Sequence, residues 1–149
     1  FGNGSYLYKL KEFIKDNHNI NIFYGGEVQE NDRNFCLSSC DVAFVTLDSG
    51  MYGLGVPSKA YFSMGVNKPI LTVMDVNSEI AKVVTENQIG WYCEPNKPEE
   101  LANLIDKISE GNWSNDIKSS REVLINKYSQ TRSLDMFSNT VKDALNISH

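Results

Sequence analysis

Residues 53–69 have the sequence GLGVPSKAYFSMGVNKP. They lie between two apolar segments, 41–47 and 69–73, whose length and composition are typical of buried strands. The two glycines at the start allow backbone conformations that other residues resist, and Pro57 suits the first turn of a helix because it has no N–H group. The pattern therefore predicts a strand, a glycine-rich loop, a helix that starts at residue 57 or 58, and a second strand.

The start of such a helix is suited to binding an anion. Its first N–H groups have no partner within the helix, and its dipole places partial positive charge there. Ser58 and Lys59 add a hydroxyl and an ammonium group, so we predict a phosphate site made of Gly53, Gly55, Val56, Pro57, Ser58 and Lys59. On residue chemistry alone, an ordinary strand-to-helix loop with a solvated lysine is an equally good interpretation.

A family resemblance favours the phosphate site. The segment 55–64, together with Asn67-Lys68-Pro69 and Ser78-Glu79-Ile80, resembles the C-terminal, donor-binding domain of family 4 glycosyltransferases of the GT-B fold. It is most similar to bacterial members that carry a Pro-Ser-Lys motif. Four further segments are also similar, and they occur in the order found in the family, so that the resemblance covers roughly residues 1–110. They are Gly2-Asn3-Gly4, the segment 20–28, Asp41-Val42 and the segment 90–95.

The resemblance implies roles for individual residues. Lys59 and Ser58 would be the catalytic groups that stabilise the leaving diphosphate. Contacts to the nucleoside would come from Glu27, Val28 and Phe62, and the donor sugar would lie near Leu54 and Glu79. Two of these positions depart from the family, because many members carry glutamates where this chain has Leu54 and Phe62. Glu27 is equally well explained as a solvated loop carboxylate, and Glu79 as a charge that complements a helix dipole.

The same resemblance implies the substrates. The donor would be a UDP-sugar or a GDP-sugar, with no metal and no other cofactor, and the full-length protein would be a hexosyltransferase-type enzyme of polysaccharide biosynthesis. Its saccharide or lipid-linked acceptor would bind through an N-terminal domain that this chain lacks, so we expect the chain to be an inactive fragment by itself. Two alternatives remain open: a nucleotide-sugar 2-epimerase of the GT-B fold, and a non-catalytic nucleotide-binding domain.

Composition agrees with a single α/β domain over residues 1–149. The chain contains 41% hydrophobic and 22% charged residues, and its net charge of −5 argues against a nucleic-acid partner. Three cysteines, Cys36, Cys40 and Cys93, form no disulfide framework and suit a reducing compartment.

No apolar run reaches the ~18 residues of a membrane span. We expect a cytoplasmic location, with peripheral association at the inner face of the membrane as a further implication of the resemblance.

Hydrophobic periodicity predicts the remaining elements, which alternate as in a Rossmann-like, mostly parallel sheet with helices on both faces. The apolar run 41–47 is typical of a strand that is covered on both faces. Tyr61 and Met64 are predicted to pack in the core. Helices are predicted at 5–17 and 31–39, from residue 77 or 78, from residue 98, and at 114–128 and 131–147; strands are predicted at 19–24, 70–73 and 90–93.

Overall fold

The computed structural model describes residues 1–18, 20–113 and 115–145. The chain divides into two compact units, Phe1–Cys36 and Leu37–His149. A short 3₁₀ turn lies at Glu30–Asp32. The elements in chain order are α1 (Leu7–Asp16), α2 (Arg33–Ser38), β1 (Ala43–Thr46), α3 (Lys59–Gly65), β2 (Ile70–Val73), α4 (Glu79–Asn87), β3 (Gly90–Cys93), α5 (Pro98–Ser109), α6 (Ser120–Tyr128) and α7 (Gln130–Ala144).

The first unit contains α1, which confirms the helix predicted at 5–17. The glycine turn at its start is held to a later loop, since the Gly2 N–H donates to the Gly26 carbonyl at 2.8 Å. The strand predicted at 19–24 is wrong for residues 20–24, which form no strand, and Asn19 lies outside the described residues. No strand is found among the described residues of the first unit, so this segment has no neighbour with which to form a ladder, and Ile22 and Phe23 are 44% and 86% exposed.

The second unit is built on a three-stranded sheet with the order β1-β2-β3. Both pairs of strands are parallel, with Ala43 opposite Ile70 and Ile70 opposite Gly90. Helices α3 and α4 make the two crossovers, as parallel neighbours require. The α/β, Rossmann-like class and the strands predicted at 70–73 and 90–93 are therefore confirmed, and the run 41–47 contains β1.

The core of this unit lies between the sheet and its crossover helices. Met64 and Ile70 are completely buried, and Tyr61 packs against this core with its ring 5.8 Å from that of Tyr128, so both core predictions for α3 hold. Residues of β2 are buried on both faces. In β1, buried and exposed residues alternate, and Phe44 is 54% exposed. Coverage of both faces, expected from the apolar run at 41–47, is thus found at β2 and not at β1.

The C-terminal helices differ from prediction in their bounds. Helix α5 starts at Pro98 as predicted, whereas α6 starts at Ser120 and not near residue 114. The later start has a local cause, because the Ser119 hydroxyl accepts a hydrogen bond from the Glu122 N–H at 3.2 Å and caps the helix there. Ser114 and residues 146–147, which belonged to the two predicted helices, lie outside the described residues. The predicted apolar stripe of α7 is exposed and consists of Leu134, Phe137, Val141 and Leu145.

Candidate functional site

The loop between β1 and α3 consists of successive turns. The Met51 N–H donates to the Asp48 carbonyl at 3.1 Å, and the Leu54 N–H donates to the Met51 carbonyl at 3.0 Å. Gly53 has φ +77°, a conformation that a side chain would strain. The glycine therefore lets the chain reverse direction just before the predicted phosphate-binding residues.

The start of α3 presents a hydroxyl and an ammonium group to solvent. Ser58 precedes the helix but does not cap it with its side chain. Within the described part of the chain, the ammonium of Lys59 takes part in no ion pair, and the residue is exposed. The Ala60 N–H donates to the Pro57 carbonyl at 3.1 Å, so this amide is already occupied. The exposed side chains of Ser58 and Lys59 are therefore polar groups that an anion can contact at the start of this short helix.

Apolar side chains flank these two polar groups. Leu54 is 76% exposed, and Phe62, one turn into α3, is 41% exposed. At the two positions where the resemblance implied glutamates, the structure therefore presents apolar surface to solvent. Neither side chain can accept a hydrogen bond from a sugar or ribose hydroxyl. Any contact that they make with a ligand has to be a packing contact.

Glu79 follows the next strand at the same edge of the sheet. Because β1 and β2 are parallel neighbours, the loops after their carboxyl ends meet at one edge, and these loops lead to Lys59 and Glu79. The loop before Glu79 is ordered by Asp75, whose side chain accepts a hydrogen bond from the Asn77 N–H at 2.8 Å. Burial raises the pKa of Tyr61, and the negative charge of Glu79 raises it further. The Glu79 charge therefore lies near enough to Tyr61 on α3 to disfavour ionisation of the phenol.

Glu27 and Val28 belong to the first unit. The Asn3 side-chain amide donates a hydrogen bond to the Glu27 Oε1 at 2.7 Å, and Val28 is half-buried. Glu27 is thus exposed, and one of its two carboxylate oxygens accepts this hydrogen bond. The bond joins the Gly2-Asn3-Gly4 turn to the segment 20–28, two segments that both belong to the family resemblance.

A cavity of about 450 Å³ at the end of β3 was not anticipated from the sequence. It is lined by Tyr92, Cys93 and Lys97, among others. Lys97 forms ion pairs of 3.0 Å with Glu94 and with Glu100, and hydrogen bonds to these two carboxylates raise the pKa of its ammonium group. The signal in the sequence was Glu-x-x-Lys-x-x-Glu, whose spacing brings these charges together at the start of a helix.

None of the described helices combines the length and the apolar composition needed to cross a membrane. No solved structure was found to match the chain.

Comparison with known proteins places the chain in a family. The family described as "Glycosyl transferases group 1" matches residues 1–130. The chain is also 44% identical over 144 residues to a protein of Pseudomonas aeruginosa named "Probable glycosyltransferase WbjE". The match covers 97% of this chain and 36% of that relative, so the chain spans about a third of the relative's length. This chain belongs to the glycosyl transferases group 1 family.

Proposed function

We propose that this chain is the donor-binding part of a family 4 glycosyltransferase and binds the diphosphate of a UDP-sugar or a GDP-sugar. The observation that carries the proposal is the exposed pair formed by the Ser58 hydroxyl and the Lys59 ammonium group, which follows the glycine loop after β1. Ligands of open α/β sheets bind at this carboxyl edge of the strands. Family membership supplies the class of reaction.

The chemical role of the pair follows from the charge that develops during sugar transfer. As the bond between the sugar and the diphosphate breaks, negative charge grows on the leaving diphosphate. A fixed ammonium group and a hydroxyl donor next to this charge stabilise the transition state more than the ground state. Lys59 thereby provides positive potential that divalent cations provide in other enzymes. In this proposal the sugar is transferred with retention of configuration.

The acceptor and the whole enzyme are part of the same proposal. The full-length protein would transfer a hexose to a saccharide or lipid-linked acceptor, in the cytoplasm or at the inner face of the membrane, during polysaccharide biosynthesis.

Two exposed side chains near Lys59 support a donor that has apolar surface. Leu54 lies on the loop before α3, and Phe62 lies on α3 itself. A donor that packs against them would replace the hydrogen bonds of the missing glutamates by apolar contact.

Calorimetric titration of this chain with UDP and with GDP tests the proposal. One nucleotide should bind, and Lys59→Ala should weaken its binding by about tenfold, the loss expected for one charge-assisted contact. Lys142→Ala, which removes an exposed lysine of α7, is the matched control and should leave the affinity unchanged. Equal affinity of the wild type and Lys59→Ala would disprove the assigned site. In the full-length protein, conversion of the donor sugar without an acceptor would instead support the 2-epimerase alternative.

A further inference from the structure

A second groove lies at the opposite edge of the sheet. It has a volume of about 480 Å³ and is lined at the amino ends of β1 and β2 and by the segment before α6. Volumes of this size are typical of sites for small molecules. The lining residues are Asp41, Asn67, Lys68, Pro69, Trp113, Ile117, Lys118 and Ser119.

The walls of this groove are held in place by hydrogen bonds between segments that are distant in sequence. The Asn67 side-chain oxygen accepts from the Ser119 hydroxyl at 2.9 Å, and the Lys118 N–H donates to the Gln88 carbonyl at 2.9 Å. Trp113 is fixed by a local hydrogen bond, because its indole N–H donates to the carbonyl of Ile108, five residues earlier, at 2.7 Å. The groove is therefore formed before any ligand arrives, which lowers the entropy cost of binding.

The groove combines two cations, one carboxylate and an aromatic ring. The ammonium groups of Lys68 and Lys118 form no ion pair with any residue that the structure describes, although the protein carries a net charge of −5. The Asp41 carboxylate also has no such partner. Two unpaired cations favour an anionic ligand, whereas the carboxylate favours a ligand that also donates hydrogen bonds.

The tryptophan defines the remaining property of the ligand. Since the indole N–H of Trp113 is bonded within the protein and the ring stands perpendicular to Trp91, with the ring centres 5.2 Å apart, the indole offers a ligand mainly apolar surface. A pyranose has an apolar face of C–H groups, which packs on aromatic surface, and a rim of hydroxyl groups. An acidic sugar therefore satisfies all three features of the groove.

We propose that this groove binds an acidic saccharide unit, meaning a sugar that carries a carboxylate or a phosphate group. The acid group lies between Lys68 and Lys118, a hydroxyl donates to Asp41, and the ring packs on Trp113. This site is separate from the proposed donor site, because the groove lies at the amino ends of the strands and Lys59 follows the carboxyl end of β1. The inference does not depend on the donor proposal.

Nuclear magnetic resonance of the indole N–H groups tests the site directly in this chain. Glucuronate or glucose 6-phosphate should shift the signal of Trp113, assigned with Trp113→Phe, in a saturable way. Glucose and inorganic phosphate should each bind at least about tenfold more weakly, since each lacks one half of the ligand. The tighter of the two acidic sugars identifies the acid group.

Variants then test the two cations. Lys68→Ala combined with Lys118→Ala should weaken the acidic sugar by about tenfold or more, whereas Lys82→Ala on α4 should have no effect. The amide spectrum of each variant shows whether it is folded. The proposal is overturned if no acidic sugar saturates the signal up to about 20 mM, or if the double variant keeps its affinity. It is also overturned if glucose binds as tightly as glucuronate, or if phosphate alone binds as tightly as glucose 6-phosphate.

Discussion

The side chain of Asn67 joins the end of α3 to the start of α6, because its oxygen accepts a hydrogen bond from the Ser119 hydroxyl at 2.9 Å. The same oxygen also accepts from the Arg121 N–H at 3.2 Å. Asn67 itself has φ +57°, a left-handed conformation that asparagine tolerates better than most residues. One residue therefore follows the end of α3 and also positions the start of α6, whose capping residue Ser119 lies 52 residues later in the chain.

Two substitutions of Asn67 separate these roles. Asn67→Gly removes the two hydrogen bonds but keeps the backbone relaxed, and should lower the free energy of unfolding by about 1–2 kcal/mol. Asn67→Ala also places a Cβ in a left-handed conformation and should cost about 1–2 kcal/mol more. Urea denaturation of the two variants measures the difference. Equal stability of the Gly and Ala variants would show that the backbone conformation is not under strain.

Met64 tests the core between α3 and the sheet. Its side chain is completely buried, so Met64→Ala should lower the free energy of unfolding by about 2–5 kcal/mol through lost burial and the cavity left behind. The matched control is Met51→Ala, since Met51 is 41% exposed, and it should change stability by no more than about 0.5 kcal/mol. Similar midpoints for the two variants in thermal unfolding would contradict the core described above.

Gly90 tests the pairing of β2 with β3. A Cβ at this position would lie 1.9 Å from the Ile70 carbonyl oxygen, and that backbone cannot move away without breaking the sheet. Gly90→Ala should therefore lower the free energy of unfolding by at least about 3 kcal/mol. Gly55→Ala is the control, because a Cβ there would meet no atom within 4 Å. This control should be unchanged or stabilised by up to about 1 kcal/mol in urea denaturation.

Cys93 should react with thiol reagents more slowly than the two other cysteines. It is buried, and the loss of solvation raises the pKa of its thiol, whereas Cys36 and Cys40 are half-buried. The raised pKa keeps the proton on the folded protein at pH values where the unfolded chain has lost it. The stability from this group is thus complete below the unfolded pKa and is lost as the pH rises through the folded value.

The reaction with a disulfide reagent at about pH 8.5 measures this difference, because only the thiolate attacks. Two thiols should react in a fast phase and one in a slow phase, and Cys93→Ala should remove the slow phase alone. In urea all three thiols should react at similar rates. Three equal rates in the folded protein would contradict the burial of Cys93.

The sequence revealed those parts of the fold that depend on local pattern. The strands at 70–73 and 90–93 are short apolar segments bounded by Pro69 and by residues around Pro95, and α5 follows a regular helical period, so all three were predicted closely. The segment 20–24 has the same apolar character but forms no strand. A strand needs a neighbour to pair with, and apolar composition does not show whether one is present.

The candidate sites were predictable to a similar degree. The glycine loop indicated where Ser58 and Lys59 lie, since a strand followed by a helix fixes the edge of the sheet at which the loop emerges. The bond from Asn3 to Glu27 and the groove around Trp113 were not anticipated. Both depend on side chains from segments that are far apart in sequence, and the spacing of residues along the chain does not show which distant side chains come into contact.

The order of the strands has a consequence for how the second unit is made. Each strand pairs with the next one along the chain, and the paired residues Ala43, Ile70 and Gly90 are separated by only 27 and 20 positions. Closing loops of this length costs comparatively little chain entropy, because the cost rises only slowly with loop length. The sheet can therefore assemble in the order of synthesis, one strand after another, as the chain leaves the ribosome.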